Sequence, residues 1–387
     1  MLNREANLIL WQAVVVSAQQ VSGAICGFVS ALRRDPLRAG FIRHISFICE
    51  INARAYSRSI GSLFPGELTG EFWTSLEEAL RLVTHPISIA ILELDVIPMP
   101  WKSPKIPDRF IDIISNVFKT SRIENLYSHL DSNRLFHLCQ IWPSLTTLRA
   151  ATYEDAPADI PPDALPQLCH LEANTHTICH ITPGRPIETL CHVGGVVCWK
   201  HDFELLASAV RGCDTLQRIR VNCRAESEDD VDILPAFAHD ALRFFHLRIS
   251  LEGDGMGYYL GPGSLRLAPS MVMQALPSGA LALFPKLEVL QILLSHNDFA
   301  IAVDDPNYED MNRVENALMS FLISEGHTTL RQVDVDCSFY YHGGELEVAI
   351  RFRAARHDGR WHVKTVIHKG PESSILTRFE DVLAGHR

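Results

Sequence analysis

One short apolar motif recurs along the chain while everything around it changes. An apolar residue is followed by a second at plus three and a third at plus five, as in Ile42/Ile45/Phe47, Ile89/Leu92/Leu94, Leu145/Leu148/Ala150, Leu168/Leu171/Ala173 and Leu216/Ile219/Val221. It returns at Phe244/Leu247/Ile249, Leu287/Leu290/Ile292 and Leu330/Val333/Val335. Incomplete copies start at Ile123/Leu126 and Ile187/Leu190, where the third place holds Ser128 and His192. The last two apolar residues of a copy lie two apart, so they point to the same face of a strand. From Ile123 the copies start 22, 23, 19, 29 and 28 residues apart, and the outer gaps are longer. This spacing is close to the period of leucine-rich repeats. A single copy cannot bury its own apolar face, whereas stacked copies bury all of them in one column.

Between the copies the apolar spacing changes from two to three and four, the mark of amphipathic helices. Such segments run from Phe72 to Val83, Arg109 to Phe118, Arg134 to Ile141, Phe203 to Val210 and Val314 to Ile323. Strand, helix and strand in succession imply parallel pairing with helical crossovers. The expected fold is therefore α/β: an irregular leucine-rich-repeat solenoid, with a parallel strand column, convex helices and a cap at each end. Residues 1–36 are expected to form one N-terminal amphipathic helix, with Trp11, Val14, Val15, Ala18, Val21, Ile25, Phe28, Val29 and Leu32 on its stripe. The array spans 37–340. Residues 341–387 read as a β-hairpin and helix cap, from the alternation of Val348, Ile350 and Phe352 and the turn His357-Asp358-Gly359-Arg360.

The same register selects the side chains of the concave strand face, at plus two and plus four. They are mostly polar: His44 and Ser46, Thr147 and Arg149, His170 and Glu172, Arg218 and Arg220, His246 and Arg248, Gln332 and Asp334. Ile91 and Val289 are the exceptions. The candidate protein-binding residues are Arg149, Glu172, Arg218, Arg220, His246, Arg248 and Asp334, with Glu93, Asp95 and Asp336 adding charge towards the ends. Arginine is a frequent interface anchor, and opposed charges orient a partner more than they hold it.

Composition narrows the function. Apolar residues make up 47% of the 387, enough for a sizeable core, and the net charge of −11 excludes a generic nucleic-acid binder. Ten scattered cysteines in a chain this long and the absence of an Asn-x-Ser/Thr acceptor favour a reducing cytoplasmic or nuclear setting. The apolar run from Leu8 to Ala18 is too short to span a bilayer, so no membrane partner is expected. The acidic runs Glu226 to Asp232 and Asp304 to Asp310 read as solvated loops, and the glycine-rich Leu251 to Ser264 as an insertion.

Catalytic signatures are missing. Gly-x-Ser-x-Gly, His-Glu-x-x-His and Gly-x-x-x-x-Gly-Lys do not occur, so no catalytic residue and no cofactor is assigned. The densest Cys/His region holds Cys169, His170, His176, Cys179, His180, Cys191, His192, Cys198 and His201. These are zinc's ligand types, but the spacing lacks a Cys-x-x-Cys pair, so no metal ligand is assigned. A hydrolase or zinc-dependent enzyme built on 169–201 stands as the alternative.

The chain resembles the leucine-rich-repeat-containing F-box-type proteins that are numerous in basidiomycete fungi. The resemblance rests on Phe28 to Phe47 (FVSALRRDPLRAGFIRHISF), Trp142-Pro143-Ser144-Leu145-Thr146-Thr147-Leu148 and Phe284-Pro285-Lys286-Leu287-Glu288-Val289-Leu290. It implies a substrate receptor of cullin-type ubiquitin ligases, whose repeats hold the target and whose F-box holds the adaptor. The first 27 residues are fewer than an F-box needs and contain no Leu-Pro-x-Glu opening. What is expected is thus a non-catalytic interaction scaffold with a protein partner on the strand face, and the ligase adaptor stays open.

Overall fold

The computed structural model describes residues 11–18, 21–51, 70–95, 106–150, 160–161, 163–193, 200–225, 233–251, 276–296, 308–340 and 346–369. The chain divides into two compact units, Met1–Gly194 with Gly212–Thr215, and Gly195–Arg211 with Leu216–Arg387. Strands and helices alternate in both, as the motif predicts.

The first unit lines up seven strands in chain order: β1 (Ala13–Ala18), β2 (His44–Ile51), β3 (Ser88–Asp95), β4 (Asn125–Ser128), β5 (Thr147–Ala150), β6 (His170–Ala173) and β7 (Thr189–His192). Every neighbouring pair is parallel. The plus-three residues Ile45, Ile89, Leu126, Leu148, Leu171 and Leu190 stand opposite one another from strand to strand, and all are buried. One step further along, Phe47, Ile91, Ser128, Ala150, Ala173 and His192 form a second buried rung. The two incomplete copies are thus full members. Their polar third residues are satisfied locally: Ser128 Oγ accepts the Leu130 N–H at 3.1 Å, and His192 Nε2 lies 3.2 Å from Thr175 Oγ1.

Helices α1 (Val21–Arg34), α2 (Pro36–Ala39), α3 (Gly70–Arg81), α4 (Asp108–Phe118), α5 (Ser132–Ile141) and α6 (Thr175–Ile181) fill the connections. Helix α4 shows why they dock: Phe110, Ile111, Ile114 and Phe118 fall on one face and are buried. Side-chain caps fix two of the starts. Asp131 accepts from the Arg134 N–H at 3.1 Å, and Asn174 from the Thr177 N–H at 2.9 Å. Trp142, fully buried, donates from Nε1 to the Phe118 carbonyl at 2.9 Å and ties the end of α5 to the end of α4.

The second unit contains α7 (Lys200–Arg211) and four parallel strands, β8 (Arg218–Ala225), β9 (Phe244–Leu251), β10 (Val289–His296) and β11 (Gln332–Tyr340). Short 3-10 turns at Leu234–Phe237 and Ala280–Leu283 and the helix α8 (Tyr308–Glu325) connect them. Antiparallel β12 (Leu346–His357) and β13 (Arg360–Lys369) close the edge. Val333, Val335 and Cys337 face Ala354, Phe352 and Ile350 across that junction, so the apolar rungs continue into the hairpin. Its two-residue turn holds Asp358 at φ 51° and Gly359 at φ 76°, the paired left-handed conformation of a type I′ turn. Inside, Phe237 and Phe284 each pack against the spine residue Phe245 with ring centroids 5.7 Å away.

The turns ahead of the strands hang on one another. Thr147 N donates to Glu124 O, His170 N to Thr146 O, and Glu188 N to Cys169 O in the first unit. Arg243 N donates to Gln217 O, Glu288 N to Arg243 O and Arg331 N to Glu288 O in the second.

Four expectations need correction. Residues 1–36 do not form one helix: Ala13–Ala18 is a strand paired with β2, and the helix is Val21–Arg34. Three consecutive β-branched residues, Val14 to Val16, disfavour a helix and suit a strand. The second motif copy, on the third strand, is Pro86/Ile89/Ile91 instead of Ile89/Leu92/Leu94, so Ile91 belongs to the spine and Leu92 is half-buried. The copy at Phe244/Leu247/Ile249 starts at Leu242, with Leu242, Phe245 and Leu247 buried and Phe244 on the opposite face. Tyr308–Asp310, read as part of an acidic loop, opens helix α8, where acidic residues suit the N-terminal end of the dipole. The helix expected in the C-terminal cap, both glycine-rich and acidic insertions up to 307, and Cys198 lie outside the described residues.

Candidate functional site

On the face opposite the spine, the first unit has short rungs. Tyr127, Arg149, Glu172 and Cys191 stand opposite one another on β4 to β7. The Arg149 guanidinium lies 5.1 Å from the Tyr127 ring centroid and pairs through Nε with Glu172 at 2.9 Å. Arg149 and Glu172, both expected to meet a partner, are therefore engaged with each other. Beside them, burial first and the Arg149 charge second push His170 down to about 4, so it is neutral at physiological pH.

The second unit carries a broader polar face of three rungs. Arg218, Phe244, Val289, Gln332, Ala355 and His362 make the first; Arg220, His246, Gln291, Asp334, Arg353 and Lys364 the second; Asn222, Arg248, Leu293, Asp336, Arg351 and Val366 the third. The eight-residue strands β8 to β10 give this depth; the four-residue strands β4 to β7 do not.

At the hairpin end of this face the acids are consumed. Asp334 is 3% exposed. It accepts from Gln332 Nε2 at 2.7 Å, from Gln291 Nε2 at 3.4 Å and from Arg353 Nε at 3.0 Å. Asp336 binds Arg351 in a fork, through Nε to one oxygen and through Nη2 to the other at 2.8 Å. Burial pushes the Asp336 carboxyl up, and the Arg351 bonds oppose the rise. Asp334 thus occupies its expected register position as a buried carboxylate that fastens the hairpin. Arg351 and Arg353 escaped the sequence reading. A signal for them exists: Asp334-Val335-Asp336 and Arg351-Phe352-Arg353 alternate in the same period with opposite charge.

At the β8–β9 end the face is basic. Arg218, Arg220 and Arg248 lie on two neighbouring strands with His246 directly opposite Arg220. The Arg218 guanidinium stacks on the Phe244 ring, 4.8 Å from its centroid. Arg248 is half-buried, and its Nε has no hydrogen-bond partner among the described residues. His246 is 8% exposed; burial first, then the charges of Arg220 and Arg248, push it down to about 3. Of the seven candidate residues, these four converge on one patch. Glu93 and Asp95, proposed to add charge on a motif phase that did not hold, have side chains outside the described residues.

In the Cys/His region three residues have assigned contacts or burial. Cys191 and His192 are buried on β7, and Cys169 Sγ donates to the Thr146 carbonyl at 3.4 Å. Among the described residues, no three His, Cys, Asp or Glu side chains gather as a metal-binding group. Burial pushes the thiols of Cys139 and Cys337 up to about 12, which leaves neither available as a thiolate at neutral pH. Among the same residues, no helix is long and apolar enough to cross a membrane. No protein-family model and no curated protein matches the chain.

Proposed function

We propose that the chain is a non-catalytic interaction scaffold of leucine-rich-repeat type, working in the cytoplasm or nucleus and binding a protein on the polar strand face of its second unit. The observation that carries this reading is the patch of Arg218, Arg220, His246 and Arg248. No two of the arginines stand directly opposite, but Arg220 and Arg248 lie diagonally across β8 and β9, within reach for long side chains, and after burial their charges help keep His246 neutral between them. The spine on the other face needs none of them. Arg218 packs on the Phe244 ring, yet three arginines gathered on a face that the spine does not use are best explained by a partner that brings charge to meet them. A place among substrate receptors of cullin-type ligases, with the strand face holding the target, is the biological setting that the repeat resemblance suggests.

The experiment is affinity capture with the tagged wild type and with the double variant Arg218→Glu/Arg220→Glu. Far-UV circular dichroism confirms folding of both. The expected result is loss of the wild type's specific partners from the variant. Equal capture by both would remove the binding role from this face.

A further inference from the structure

We infer that the basic patch of the second unit docks an acidic peptide segment, one that brings carboxylates to Arg218, Arg220 and Arg248 and apolar side chains to the half-buried Phe244 and Val289. The inference rests on the binding-scaffold reading above and adds the chemistry of the partner.

Charge is the first argument. The described side chains of this face include Arg218, Arg220, Arg248, Arg351, Arg353 and Lys364 against only Asp334 and Asp336. Both carboxylates are occupied by Arg351 and Arg353. Among its described side chains the face is therefore net positive, on a chain whose net charge is −11. Such a local reversal steers an acidic partner to one place and repels it from the rest of the surface.

Arg248 is the second argument. Its guanidinium makes no ion pair among the described residues, and its Nε is buried without an acceptor. A buried donor left without a partner costs about 1–3 kcal/mol, a deficit that a bound carboxylate removes. The planar fork of arginine matches a carboxylate with two parallel hydrogen bonds.

The third argument separates a peptide from a nucleic acid. A nucleic-acid strand needs cations that track a backbone over many phosphates. Here the three arginines sit on two strands spaced about 4.8 Å apart. The next strand along offers Val289, Gln291 and Leu293, with no charge at all. A short cationic cluster beside the half-buried Phe244 and Val289 fits a segment with a few carboxylates and one or two apolar anchors.

The test uses the full chain and fluorescence anisotropy. The probe is a fluorescein-labelled twelve-residue peptide of glutamates around a central Leu-Phe pair. Its lysine counterpart and an oligothymidine of similar length are the comparisons, each at low and high salt. The glutamate peptide is expected to bind, weakening with salt, while the lysine peptide does not. Arg248→Met, which keeps the aliphatic stem, is expected to weaken binding about tenfold, and Arg218→Ala to weaken it less. Thermal unfolding of each variant verifies its fold. Equal binding of both peptides, or full binding by Arg248→Met, overturns the inference. Tighter binding of oligothymidine that Arg248→Met abolishes overturns it in favour of a polyanion site. Should Arg218→Glu/Arg220→Glu lose its captured partner while the glutamate peptide fails to bind, the acidic occupant is wrong and the face remains a binding surface.

Discussion

The polar faces of the two units are built from the same repeat and manage charge in opposite ways. In the first, Arg149 is compensated on its own rung by Glu172 on the next strand, at 2.9 Å. In the second, the acids that could have played that part, Asp334 and Asp336, are drawn to the other end by the hairpin arginines. On β8 and β9, Arg220 and Arg248 flank a histidine that its burial and their charges keep neutral. Repeat length tracks this difference. Copies that start 19 to 23 residues apart carry four-residue strands, and those of β8 to β11, which start 26 to 45 apart, carry strands of eight or nine. A longer strand adds a rung to the face: Arg218, Arg220 and His246 stand at positions that the short strands also have, and the added rung brings Arg248 opposite Asn222. The lesson is that strand length sets how much polar surface a repeat can display, while the spine stays the same.

Breaking the compensated end should cost most. Asp336→Ala leaves the largely buried Arg351 without its carboxylate, and a loss of about 3–5 kcal/mol is expected in urea unfolding. Next comes the phase of the third strand. Ile91→Ala should lose about 2–4 kcal/mol, while Leu92→Ala should lose less than about 1, because only Ile91 is 1% exposed and on the spine. Reversed magnitudes would restore the phase expected from the motif.

A smaller effect follows from the histidines. His246 faces Arg220, Arg248 and Gln291, and His170 faces Arg149; both have lowered folded-state values. Below the ordinary histidine range the unfolded chain binds protons that the folded chain refuses. Stability should therefore fall with pH from about 6.5, by up to about 1.4 kcal/mol per pH unit for each histidine. The loss levels off near 4 for His170 and near 3 for His246. Replacing His246 by glutamine should flatten the curve most at its acid end, read from urea midpoints across pH. Smallest is the Arg149–Glu172 pair, half-exposed on the arginine side: a double-mutant cycle should give a coupling below about 1 kcal/mol. A coupling several times larger would mean that the first unit's face is fastened as firmly as the hairpin.

Much of the architecture was legible because the plus-three and plus-five residues of a repeat have no other place to go than the spine. Leu148, Leu171, Leu290 and Val333 are buried where their spacing puts them. Phase failed where apolar residues run on without alternating. In Ser88 to Leu94 both parities offer aliphatic side chains, and in Phe244-Phe245 two aromatics sit side by side, so periodicity alone cannot choose the inward one. The strand at Ala13–Ala18 was hidden for the same reason, since a short apolar run fits either period. The candidate site was half legible. Parity placed Arg218, Arg220, His246 and Arg248 on one face, but the fate of Asp334 depended on antiparallel register with a strand about twenty residues later, which local spacing does not encode.

The chain of turns, each donating its amide to the carbonyl of the one before, has an implication for how such a molecule changes over time. Within each unit, alignment between neighbours is set at the strand entrances, where turn amides meet the carbonyls of the turn before, and is kept by the pairing along the strands. The stretch from a strand's exit to the next entrance can therefore lengthen from a few residues to dozens while the spine keeps its register. New surface can be grafted there one loop at a time, and each graft leaves the founding pattern intact.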